Sequence, residues 1–169
     1  MGMKAINIYT PATAAPHIYA EDDAQIYRSL IGSSGITLAD NKLAATIVNN
    51  NTIRLDSGLY SMLGFMLSVT PGSYQDLTID SGSAGAYRHD LIIADFTRGS
   101  LETADAYVFA VVKGTNATSA EAATDPTLTQ QDITTTGTHR QEAVYRVIIA
   151  GTEITAVERV APFIGNVYQ

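Results

Sequence analysis

The feature that most constrains this chain is a change of side-chain period. Up to Gly32 the apolar residues of one segment recur at helical spacing. Beyond Gly35 the period changes to two, apolar and polar residues alternating one by one in short runs divided by turn residues. In residues 52–56, Ile53 and Leu55 fall on one face while Thr52, Arg54 and Asp56 fall on the other, the pattern of a half-buried strand. A chain written this way buries one face of each strand and needs a second layer to cover it.

The helix is read over residues 21–31. Glu21, Asp22 and Asp23 place negative charge at its N-terminal end, where the peptide dipoles favour it. Ile26 with Leu30 and Tyr27 with Ile31 make one apolar stripe, and Gly32 is suited to end it. Residues 1–20, with Pro11 and Pro16, read as an extended arm preceding one β-rich domain over 21–169. Strands are expected at 44–48 and 52–56 around an Asn49-Asn50-Asn51 turn. Residues 59–69 are apolar on both faces and read as one doubly covered strand ended by Pro71-Gly72. Residues 74–79 then turn Leu77 and Ile79 inward. Further strands follow at 90–96, 106–113, 143–150 and 153–160, with a long connection over 114–142. Seven to nine strands of this kind predict a mainly β fold. The expected form is an antiparallel β-sandwich or partly closed barrel with one short N-terminal α-helix.

Composition narrows the chemistry. The net charge is −7, and the ten basic residues are scattered singly, which argues against a phosphate-binding face and so against nucleic acid as a partner. Cysteine is absent, which removes disulfides, thiol catalysis and thiolate metal sites. The apolar stretch at 59–69 is too short and too interrupted to cross a bilayer, and no apolar leader follows Lys4; the expectation is a protein made in a bacterial cytoplasm and not inserted in a membrane.

No reactive constellation emerges from the titratable residues. His17, His89 and His139 lie far apart in sequence, so no cofactor or metal is expected from them. Asp76, Asp80, Asp90 and Asp95 are the densest carboxylates, and no calcium-loop pattern surrounds them. Arg88 and Asp90, two apart on a strand, share a face and are expected to form an ion pair, with His89 opposite. Tyr107 and Tyr145 are expected to be half-buried with the hydroxyl at the surface. The doubly apolar segment suggests an oligomer interface at Leu59, Met62, Phe65 and Met66.

The order of the segments carries a resemblance. The helix (AEDDAQIYRSLIG) is followed by GITLADNKLAATIVNNNTIRLDSGLYSMLGFMLSV and GSYQDLTIDSGSAGAYRHDLIIADF, then AYVFAVVKGT, DPTLTQ and YRVIIAGTEITAVERV. This series, with its Arg88-x-Asp90 pair and its V-K-G-T at residues 112–115, resembles small structural proteins of bacteriophages and prophages encoded among tail, baseplate and fibre genes. The resemblance spans about residues 20–160. It implies a non-enzymatic virion protein that forms a homotrimer or other cyclic oligomer and binds other phage structural proteins. A module for host surface glycan, or a capsid-decorating or head-fibre protein, is the alternative.

Overall fold

In the computed structural model, residues 19–165 are described. The extended arm expected over residues 1–20 therefore lies outside the described residues, apart from Tyr19 and Ala20. Helix α1 (Ala20–Ile31) is followed by strands β1 (Ser34–Thr37), β2 (Ala45–Asn49), β3 (Thr52–Met62) and β4 (Phe65–Thr78). After these come β5 (Tyr87–Thr97), β6 (Ala106–Val112), β7 (His139–Ala150), β8 (Glu153–Arg159) and β9 (Phe163–Ile164). Two sheets form, and the fold is the mainly β sandwich with one short helix that the alternation predicts.

The first sheet is organised around β3, which pairs with β4 along its whole length. A strand has only two edges, so β2 and β1 share the other one, β2 against Thr52–Leu55 and β1 against Tyr60–Met62. β9 adds to β1 in parallel, the one exception to the antiparallel pattern among the described residues. The second sheet runs β6-β5-β7-β8, all antiparallel. Ile36, Leu43, Ile53, Leu55, Met62 and Ile79 of the first sheet and its loops meet Ile92, Val144, Val147 and Ile149 of the second in one core. The alternation in β3 and β4 holds as read, with Ile53, Leu55, Leu77 and Ile79 all inward.

Residues 59–69 are not one strand. Leu63 and Gly64, at φ 52° and 92°, turn the chain tightly, and Met62 pairs with Phe65 across that turn. The apolar segment is thus two arms of a hairpin, and Tyr60, Met62, Phe65 and Val69 from the two arms enter the core while Leu59, Met66 and Ser68 do not. Leu63 was no turn signal, because a bulky residue at positive φ is uncommon. Gly64 is required by packing as well: a Cβ there would run into the backbone of Ala24, where α1 crosses the hairpin. Pro71-Gly72 does not end the strand either. Between the pairs Asp56–Tyr74 and Gly58–Val69 the chain of β4 carries residues 70–73 opposite Ser57 alone, a bulge that pushes them out of the ladder.

The strand covered on both faces is β5. Ile92 and Ala94 enter the main core, while Leu91 and Ile93 are equally buried yet stand outside that cluster. The connection after β6 accounts for this. Asp125 grips Arg146 through two hydrogen bonds and contacts His89 at 3.2 Å. Arg146 pairs with Leu91 across the ladder, so the segment around Asp125 lies over the outer face of β5. Residues 139–142, read as part of the connection, belong to β7.

Candidate functional site

Two buried polar nodes fix the sandwich, and a cleft opens between the free edges of its two sheets.

The first node is the predicted pair. Arg88 is 2% exposed and Asp90 0%. Arg88 donates from Nε to Asp90 Oδ1 at 2.7 Å and from Nη2 to Oδ2 at 3.0 Å. Its remaining donors reach the carbonyls of Asp80 at 2.6 Å and Ser81 at 3.4 Å, which ties down the turn before β5. Asp90 Oδ1 also accepts the backbone N–H of Gly114 at 2.9 Å. A charge so deeply buried is tolerable only when its hydrogen-bonding capacity is met, and here it is met from two loops. Gly114 packs against the backbone of His89 so closely that a Cβ would overlap the His89 carbonyl oxygen. The Arg88-x-Asp90 pair and the glycine of V-K-G-T, separate motifs in sequence, are one structural unit.

The second node was not anticipated. Glu142 is 7% exposed. It accepts from Tyr60 Oη at 2.8 Å, Ser34 Oγ at 3.0 Å and Arg140 Nε at 2.7 Å. Tyr60 and Ser34 belong to the first sheet and Glu142 and Arg140 to the second, so the node joins β1, β3 and β7 across the core. Burial, then the Glu142 carboxylate, holds the Tyr60 phenol well above the ordinary tyrosine range; burial does the same for Tyr107. Residues 139–142 read as connection in the sequence, and only the extension of β7 back to His139 turns the Glu142 carboxylate toward the core. The expected surface hydroxyls of Tyr107 and Tyr145 are also corrected. Tyr107 donates to the Phe65 carbonyl at 3.0 Å and Tyr145 to that of Leu43 at 2.9 Å, so both hydroxyls stitch one sheet to the other. Strand spacing set which side each tyrosine faces, whereas the reach of the phenol to the opposite sheet depended on the fold.

The residues expected at an oligomer interface separate. Met62 is fully buried and Phe65 is 8% exposed, its ring 5.1 Å from that of Phe96. Both are spent on the domain's own core. Leu59 and Met66 keep partial exposure. The helix is reversed in the same sense: its buried residues are Asp22 and Ala24, while Tyr27 and Leu30 of the apolar stripe are 43% and 60% exposed. Asp22 accepts the Tyr19 N–H at 3.0 Å and so caps the first turn, and Glu21 reaches Arg98.

The cleft lies between β4 and β6, each an edge strand of its sheet. It measures about 400 Å³ and is lined from β4 by Leu67 to Thr70 and Ser73 to Gln75 and from β6 by Tyr107, Val108 and Phe109. Tyr74 is 55% exposed, and its ring lies 3.6 Å from the Arg54 guanidinium. Asp76 fixes that guanidinium by hydrogen bonds of 2.7 and 2.8 Å, which hold its carboxyl below the usual carboxylate range. Among the described residues no group of three His, Asp or Glu side chains is placed to hold a metal ion. Among the described residues no helix is long and apolar enough to cross a membrane. No family model matches the chain, and neither a search of curated proteins nor one of solved structures finds a significant match.

Proposed function

We propose that this chain is a non-enzymatic structural domain of a phage or prophage tail, baseplate or fibre. In this reading it assembles with copies of itself and docks neighbouring virion proteins. The observation that carries the reading is the contact between Asp90 and Gly114. It makes the two motifs behind the resemblance a single buried brace, so the residues that mark the family-like pattern serve to hold a shape. The chemistry left at the surface is that of contact: free strand edges, a shallow cleft and exposed apolar side chains such as Tyr27, Leu30, Val108 and Phe163.

The test is location. Antibodies raised against the chain, applied to particles released from the host that carries the gene, should label the tail, its baseplate or its fibres. Label confined to the head would favour a capsid-decorating role, and particles lacking the protein would overturn the virion reading.

A second reading has its own observation. Tyr74 offers an exposed ring, pre-positioned by Arg54, beside the hydroxyls of Ser68, Thr70 and Ser73, a combination suited to the apolar face and hydroxyls of a host-wall sugar. Binding to host cells that survives Tyr74→Ala would dispose of it.

A further inference from the structure

Strand β6 is built unlike a protected edge. Its seven residues, AYVFAVV, hold no charge, proline or glycine, and β-branched or aromatic side chains dominate. β6 ends its sheet, and among the described residues only β5 pairs with it. Edge strands are ordinarily blunted by charge, proline or a bulge, because unpaired N–H and C=O groups recruit another strand. Here the row facing the core, Tyr107, Phe109 and Val111, is packed on the core but only partly buried, and Val108 on the opposite face is 52% exposed.

The occupant that fits is a second copy of the same strand. In an antiparallel pair, opposing residues lie on the same face, so the core-side row must meet its own equivalents. A twofold axis at Phe109 does this. Tyr107 then faces Val111 of the second copy, Phe109 faces its equivalent, and Val108 faces Ala110. The same register sets Asp105, just before the strand, opposite Lys113, just after it, on both sides of the axis. A slip of two residues keeps the faces but loses both charge pairs. Within one copy Asp105 accepts from Gly99 N–H and lies 3.5 Å from Arg98, and Lys113 lies 3.0 Å from Asp80. These are exposed, weak pairings that leave both charges able to face a neighbour.

We propose that two copies of this chain join edge to edge through β6, antiparallel about Phe109, fusing two four-stranded sheets into one continuous sheet. This names the interface for the self-assembly in the function proposed above and rests on that part of it. Such pairing is isologous and closed, so it yields a dimer and not a fibre.

Light scattering on the purified chain at about 100 µM, a concentration that reveals even a modest affinity, should give a species of twice the 18.0 kDa chain mass. Lys113→Asp sets like charges opposite each other at both ends of the pair. It should weaken the dimer by on the order of tenfold. Asp105→Lys should do the same. The double exchange, Asp105→Lys with Lys113→Asp, restores opposite charges and should recover the dimer, with circular dichroism confirming that every variant is folded. A monomer at every concentration would overturn the pairing. So would an assembly, dimer or trimer, that ignores these charges. Labelling of virions reads the location separately, so it stands or falls independently of these results.

Discussion

Asp90 accepts the Gly114 N–H at 2.9 Å with the same oxygen that takes the Arg88 Nε–H at 2.7 Å. One carboxylate thus closes the circuit between the turn before β5 and the exit of β6. Gly114 lies 24 residues beyond Asp90, on the far side of a hairpin.

Removing that carboxylate leaves the Arg88 charge buried without a counter-ion. Asp90→Asn should cost about 3–5 kcal/mol in denaturant unfolding. Replacing both partners by apolar residues of similar size should cost much less, because no lone charge remains. Equal losses in the two variants would refute the account.

Two glycines separate crowding from backbone strain. Gly114→Ala thrusts a Cβ into the His89 carbonyl and should cost more than about 2 kcal/mol. Gly72→Ala meets nothing, but it sits at φ 76° in the bulge of β4 and should cost only about 1–2 kcal/mol. Thermal melts of the two variants should rank in that order.

Acid should loosen the connection over β5 before it unfolds the core. The hydrogen bonds from Arg146, with burial opposing, hold the Asp125 carboxyl below its ordinary value of 3.8. A lowered folded-state value means that the contribution is complete above the unfolded value and is lost as pH falls through the folded one. Hydrogen exchange in residues 114–138 should therefore accelerate, relative to β5 and β7, only below about pH 4. Asp125→Asn should show the faster exchange already at neutral pH, with a stability loss under about 1 kcal/mol.

Alkaline titration followed by tyrosine absorbance should leave two phenols silent while the fold persists. Tyr60 and Tyr107 are held protonated mainly by burial and then by Glu142. Their replacement by Phe should leave the native part of the titration unchanged and remove amplitude only from the step at which the chain unfolds.

Met62 and Met66 test the placement of the hairpin. Met62→Ala empties a fully buried site and should cost about 2–5 kcal/mol, whereas Met66→Ala should cost under about 1 kcal/mol. Comparable losses would mean that the turn at Leu63-Gly64 is misplaced.

The sequence was most informative where a local rule and the core agreed. Ile53, Leu55, Leu77 and Ile79 were assigned their face by alternation alone, and Arg88 and Asp90 by being two apart on one strand. It misled where local apolarity had two explanations. The run at 59–69 hid a turn, because Leu63 gives no turn signal, and the helix stripe faces outward, because Ala24, the small residue, is the one that fits against Gly64.

By itself, then, the sequence determined the mainly β class, the positions of the helix and most strands, and the facing of side chains where a strand alternates without interruption, as at Ile53, Leu55 and Leu77. These follow from backbone geometry within a few residues. Only the tertiary structure decided that β5 is covered on both sides, that Glu142 joins the two sheets, and that Asp90 meets Gly114. Those depend on which distant segments come to lie side by side, and no periodicity within one segment contains that information.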